Sequence, residues 1–266
     1  MRKKMVIGGA VAVLAIVGIG VWWVVFKDDA PAAVDLTAAA EQLNEDLAAN
    51  EAPVTDDPTD EQTSADEQPV VEEVVAPEFD DGLDGTWIID DDIGSFDFET
   101  ASGSFAGFRV DEELVVGATT AVGRSGGVSG SFTIEEGNLV AAEVIVDMTT
   151  IVSNDSRRER AIRRTLSTGE FPTASFVLTQ PVALGDGGVD GDEVTVQALG
   201  DLTIKGTTQA VTFSIGALVR DDGLGVVVGS AEIVWADFGV STPSAAIVVS
   251  VADEGTVEFQ LVVAKQ

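Results

Sequence analysis

Apolar residues recur at every second position through most of the chain beyond residue 85, which is the period of a half-buried β-strand. Phe96 and Phe98 alternate with Asp97 and Glu99. Phe132 and Ile134 lead into a turn at Glu136-Gly137-Asn138, and Ala142, Val144, Val146 and Met148 form the next stripe. Ala174-Phe176-Leu178, Val194-Val196, Leu224-Val226-Val228, Ile233-Trp235, Ile247-Val249-Val251 and Val257-Phe259-Leu261 repeat the pattern, with an Asp222-Gly223 turn before the run from Leu224. The clearest local unit is Gly200 to Ile215. Leu202 and Ile204 approach a Lys205-Gly206 break, and Val211, Phe213 and Ile215 alternate with Thr212 and Ser214, which is a hairpin signal. Eight or nine short strands with regularly spaced turns predict an all-β sandwich or barrel.

The period changes to that of a helix once, between Ser153 and Phe171. Ser156 is placed to cap a helix carrying Arg157, Arg158, Glu159, Arg160, Ala161, Ile162, Arg163 and Arg164, with Ile162 and Leu166 spaced to face inward. Pro172 biases Phe171 toward extended geometry and restarts a strand. Two readings fit the arginines. They are either a solvated face paired with nearby carboxylates or, for Arg157, Arg158, Arg160 and Arg164, a contact for the polar end of a ligand.

Two further regions precede the strands. Residues 1–27 comprise a basic tip (Arg2, Lys3, Lys4) and an uncharged apolar run from Met5 to Phe26, about 33 Å long as a helix at about 1.5 Å per residue. With Trp22 and Trp23 at its far end, the run predicts a single-pass signal anchor, N-terminus inside and the remainder outside the cytoplasmic membrane. A cleaved signal peptide is the alternative, with small residues around Ala30-Pro31-Ala32-Ala33, although the run exceeds the roughly 7 to 15 residues of a signal core. Residues 28–84 carry 19 acidic side chains and no Lys or Arg, the composition of a disordered, self-repelling linker. Within it Leu36, Ala40, Leu43 and Leu47 are spaced as one face of a marginal helix. Residues 85–266 form the folded domain.

Composition narrows the chemistry. The formal net charge is −32, which disfavours nucleic acid as a partner. There is no Cys, His or Tyr, which removes Ser-His-Asp and Cys-His catalysis, thiol redox chemistry and His-ligated metal centres. Asp90-Asp91-Asp92 lacks Ca²⁺-loop spacing and reads as a solvated turn, and Asp237-Phe238-Gly239 lacks the other parts of a kinase. A hydrolase using two carboxylates stays open, since no pair is singled out.

The motifs occur in an order that resembles the YceI-like family. Trp87-Ile88-Ile89-Asp90 resembles its W-x-I-D opening, and Val128, Gly130 and Phe132 its V-x-G-x-F strand. Arg158-Glu159 stands where the family has Arg-Asp, and Phe171-Pro172-Thr173-Ala174-Ser175-Phe176 where it has an aromatic-Pro-Thr run. The hairpin GDLTIKGTT resembles its GxLTixGxT signature, and Asp237-Phe238-Gly239 and a Val-rich strand follow. The resemblance implies an antiparallel eight-stranded lipocalin-like β-barrel with one short helix, here behind the anchor and linker of a membrane-anchored, actinobacterial-type member. It implies non-catalytic binding of a long apolar lipid (polyisoprenoid, quinone or fatty) without a cofactor. The implied cavity wall is Phe96, Phe98, Phe132, Ile134, Val144, Val146, Phe176, Leu178, Phe213, Ile233 and Trp235, with Leu166, Phe171 and Phe238 at the mouth. Two departures stand out: Ile93 and Ala161 occupy positions where many members carry His. Extra residues between Thr100 and Ser125, including Phe105, Phe108 and Leu114, form a lid or a longer strand pair. The competing reading is a packed barrel that meets a protein partner through the Arg-bearing helix or the acidic linker.

Overall fold

The computed structural model describes residues 30–50, 82–185, 192–241 and 248–266. In chain order the elements are α1 (Leu36–Asn50), β1 (Gly85–Ile89), β2 (Phe105–Leu114), β3 (Gly117–Ser125), β4 (Val128–Glu135), β5 (Asn138–Asp147) and α2 (Ser156–Thr165). They continue with β6 (Thr173–Leu178), β7 (Val182–Ala183), β8 (Val194–Ile204), β9 (Thr207–Val219), β10 (Leu224–Val234), β11 (Val248–Val251) and β12 (Glu254–Lys265).

Eight strands, in the order β1-β4-β5-β6-β8-β9-β10-β12, close on themselves where Trp87, Ile88 and Ile89 pair antiparallel with Lys265, Ala264 and Val263. Closure removes the sheet edges that an open antiparallel sheet leaves exposed. The hairpin at Lys205-Gly206 forms as its residues dictate. Ile204 pairs with Thr207, and both turn residues have positive φ, 52° and 72°, the geometry of a two-residue turn that follows strand twist. Lys205 holds this conformation while its Nζ donates to the Gly239 carbonyl at 3.0 Å, so it ties the hairpin to the turn after β10.

Several expectations are corrected. The segment 95–99 is not a strand: the Asp97 carboxylate accepts from the Glu99 and Thr100 amides, and the Ser95 carbonyl accepts from Ser102 and Gly103, folding the segment into a compact loop. Asp155, not Ser156, caps α2, its carboxylate accepting from the Arg157 and Arg158 amides at 2.7 and 3.2 Å. The extra residues between Thr100 and Ser125 form the β2–β3 hairpin, joined to β12 through Thr256 to Gln260 and extended by β11. The apolar run from Met5 to Phe26 lies outside the described residues. Among the described residues no helix is long and apolar enough to cross a membrane.

The acidic region differs most from expectation. Residues 36–50 are a docked helix, not part of a free linker: Leu36, Ala39 and Leu43 bury against Val226, Val228 and Val262 on the outer face of β10 and β12. The reason is legible afterwards in the strands, because β10 reads Val226-Val227-Val228 and β12 reads Leu261-Val262-Val263, apolar on both faces. A wall buried on both sides needs a second layer. The chain leading into α1 adds polar ties. Arg124, buried with its guanidinium over the Phe105 ring at 4.4 Å, donates to the Ala32 and Phe98 carbonyls and to Glu258, while Arg109 donates to the Pro31 carbonyl. Burial holds the Arg124 guanidinium below its ordinary value, opposed by the Glu258 carboxylate.

Candidate functional site

Strand alternation turns one residue set into the barrel. Phe132 faces Ala142, Val144 faces Phe176, Phe176 faces Leu202, and Ala198 faces Phe213 across successive pairs. Two glycines make room for the rings in this set. A Cβ on Gly200 would lie 2.3 Å from the Phe176 ring, and one on Gly229 would lie 2.3 Å from the Phe259 ring. Phe176 meets Phe213 edge-on and Phe259 packs against it at a tilt, at 5.1 and 5.5 Å between centroids.

Among the described residues, three apolar pockets follow one another through the barrel and beneath α2. The central one holds about 100 Å³ of free space and is bordered by Phe132, Val144, Val146, Phe176, Phe213 and Trp235, with Leu166 reaching in from below α2. A second, of about 80 Å³, lies between α2 and the β2–β3–β11 flap and contains Ala161, Ile162, Thr165, Val110 and Val251. It shares Phe108, Leu166 and Trp235 with the central pocket. The third, of about 100 Å³ at the opposite end, is lined by apolar side chains alone, including Trp87, Ile134, Val196, Ile215 and Val227, and shares Phe132 with the central one. Phe108 and Trp235 meet edge-on at 5.5 Å and separate the first two spaces.

The cavity-wall residues named from sequence are therefore distributed unevenly. Phe132, Val144, Val146, Phe176, Phe213 and Trp235 border the central pocket and Ile134 the far one. Ile233 is buried in the core cluster that includes Phe213 and Trp235, and Leu178 faces inward opposite Gly200. Phe96 and Phe98 lie outside the barrel. Phe96 is 38% exposed and packs 6.4 Å from Phe105, and the Phe98 carbonyl serves Arg124 on the outer wall. Of the mouth residues, Leu166 borders two pockets, Phe171 covers Gly206, and Phe238 is buried in the core beside the β10 end.

Charge near the cavities is sparse and paired. Arg158 borders the α2-end pocket and is held by Glu112 at 3.4 Å and by Asn154. Arg157, Arg160 and Arg164 are exposed, with Arg164 bonded to the Arg160 carbonyl, so only Arg158 of the four reaches the pocket. Glu258, beside the central pocket, turns its carboxylate to Arg109 and Arg124 on the outer wall. Among the described residues, the acids bordering these three pockets are Glu112 and Glu258, each paired with arginine. The two positions noted for absent histidines separate as well: Ala161 lines the α2-end pocket, whereas Ile93 packs beside α1 on the outer wall. Asp90, Asp91 and Asp92 form a carboxylate cluster on the bend after β1, two of them exposed.

Phe108, Met148, Leu202, Ile204 and Phe259 also border the central pocket, beyond the wall set that the family resemblance implies. Phe259 and Leu202 lay in alternating runs and were recoverable from them. Phe108 was hidden by the extra hairpin, whose orientation no local pattern specifies.

Several solved structures resemble this chain, three of them as follows. The crystal structure of Burkholderia cenocepacia BcnA is 21% identical, with a TM-score of 0.45 over 59% of this chain and 95% of that one. A polyisoprenoid binding domain from Saccharophagus degradans, implicated in plant cell wall breakdown, is 15% identical, with a TM-score of 0.49 over 61% and 94%. The Campylobacter jejuni YCEI protein is 15% identical, with a TM-score of 0.40 over 54% and 84%. No curated protein matches the chain. The family model described as the YceI-like domain matches residues 98–263, most of the barrel and its α2 cap, and the chain belongs to the YceI-like family.

Proposed function

We propose that the barrel binds or carries a long apolar lipid of isoprenoid, quinone or fatty type in its interior, without chemistry upon it, on the outer side of the cytoplasmic membrane. The observation that carries this reading is the row of three apolar pockets that runs through the closed barrel and continues beneath α2, with side chains rather than backbone at the two boundaries between them. A tail running through the row displaces the rings that divide it. Each buried methylene contributes about 0.8 kcal/mol, so a tail of five isoprene units brings a gross gain near the ceiling of non-covalent affinity, and the ring movements and tail ordering consume much of it. Membrane anchorage through the Met5–Phe26 run belongs to the same reading, supported by the basic residues that precede it.

The test is extraction. Full-length protein purified from cells in mild detergent is extracted with organic solvent and analysed by mass spectrometry. A stoichiometric apolar molecule is expected from wild type and none from Phe213→Asp, which places a charge between the Phe176 and Phe259 rings. Repeated recovery of empty wild-type protein that also fails to take up added polyprenols would overturn the proposal. One observation favours the alternative of an interaction module: Arg157, Arg160 and Arg164 form an exposed basic stripe on α2. A protein partner lost from Arg157→Glu/Arg160→Glu/Arg164→Glu, together with empty wild type, would establish it instead.

A further inference from the structure

Trp235 begins the turn that follows β10, where its amide donates to the Asp253 carbonyl and its own carbonyl accepts from Val240. These two bonds fix its backbone. The side chain is fixed as well: the indole stands edge-on to Phe108 and lies over Gly255, where a Cβ would come within 2.4 Å of the ring. The residue is 6% exposed, and the ring borders both the central and the α2-end pockets.

The indole nitrogen is a donor only, and buried donors are nearly always paired because an unpaired one forfeits its hydrogen bond to water. Trp87 follows this rule, its Nε1 donating to the Leu83 carbonyl at 2.9 Å. Trp235 does not. Its Nε1 is buried without a partner. Among the described residues two other buried side-chain nitrogens lack a hydrogen bond, Nε of Arg109 and of Arg124, but both belong to the charged group around Glu258 on the outer wall. The charged residues that also border these pockets are already engaged: Arg158 and Glu112 hold each other, and Glu258 serves the outer arginines, which leaves the hydroxyls of Ser175 and Thr165 as the other polar side chains of the lining.

We propose that the Trp235 indole N–H is the polar recognition point of the cavity, and that the lipid it selects carries a neutral oxygen acceptor, a carbonyl or ether oxygen, at the junction of the central and α2-end pockets. The inference rests on the lipid-binding reading and adds a chemical class to it. A bare hydrocarbon fills the same space but leaves the donor unpaired. An acceptor oxygen pairs it and regains what burial withheld. A neutral group fits better than an anion, because Arg158, the cation on the lining of these two pockets, is already paired with Glu112. The tail then extends from this point past Phe176 and Phe213 toward the far pocket.

The test uses the full chain in detergent with two probes of matched branching, the isoprenoid ketone phytone and the hydrocarbon phytane, and compares wild type with Trp235→Phe, which keeps an aromatic ring and removes the donor. Wild type is expected to bind the ketone about tenfold more tightly than the hydrocarbon, the worth of one hydrogen bond to a buried donor. Trp235→Phe is expected to bind both alike, with its affinity for phytane within about threefold of wild type. A second readout needs no variant: in ¹⁵N-labelled wild type the Trp235 indole N–H resonance moves downfield with the ketone and not with the hydrocarbon. Equal binding of the two probes by wild type, or an unmoved indole resonance when the ketone is bound, would overturn the inference while leaving lipid binding intact. Failure of both probes to bind at all would overturn the lipid-binding reading and this inference with it.

Discussion

Leu43→Ala tests whether α1 belongs to the cooperative fold. Leu43 is fully buried, and its neighbours are Leu36 and Ala39 on the same helix and Val226, Val228 and Val262 on the barrel. Truncating a buried leucine costs about 2 to 5 kcal/mol through lost transfer energy and the cavity left behind. A single helix resting on a sheet can settle into part of that space, which places the expected loss at the low end, about 2 to 3 kcal/mol. On an undocked helix the same change would be neutral or slightly favourable, because alanine is the better helix former. Urea unfolding followed by Trp fluorescence reads the difference: with a slope of about 2 kcal/mol/M, the midpoint should fall by about 1 to 1.5 M. Glu45→Ala on the exposed face is the control, expected within about 0.5 kcal/mol of wild type. Coincident curves for Leu43→Ala, Glu45→Ala and wild type would refute the docking argument.

Three other outcomes are expected. Glu258→Gln should destabilise the fold by about 3 to 5 kcal/mol, seen as a lowered Tm, because Arg109 and Arg124 are left buried without their counter-charge; Arg124→Met added to it should recover part of the loss. Gly130→Ala should lower the yield of folded protein or its Tm markedly, since φ at this residue is 151° and a Cβ would lie 2.0 Å from the Glu143 carbonyl oxygen; unchanged stability would mean the β4–β5 pairing differs. Asp155 is held below the usual carboxylate range by the Arg157 and Arg158 amides, and Asp147 likewise by the Thr149 hydroxyl and amide. Their folded values lie below the unfolded reference of about 3.9, so the native state holds fewer protons there and stability rises with pH through that window. Acid titration below about pH 4 should therefore weaken α2, and Asp155→Asn should flatten that part of the profile.

Much of the barrel was legible because its strands carry one apolar and one polar face. Val144 and Val146 alternate with Glu143 and Asp147, and such a run has one stable orientation. The loop at Phe96 and Phe98 misled for a local reason: Asp97 bonds to the backbone ahead of it and competes with strand pairing, as Asp does in turns. The interior wall was legible as a set of residues but not as three separate pockets. Division depends on where Phe108, Trp235 and Phe132 point once strands distant in sequence are side by side.

The sequence by itself determined the all-β class, the Lys205-Gly206 turn, the single capped helix before Pro172 and the identity of most inward-facing residues. These follow from period, turn chemistry and capping, all local. Tertiary structure alone decided three things. It placed α1 on the outer wall, paired Arg124 with Glu258 across 134 positions of chain, and left unpaired the donor of Trp235, a residue that borders two pockets. Each depends on which surfaces meet after closure of the barrel, and a pattern read along one strand carries no information about what lies on its far side.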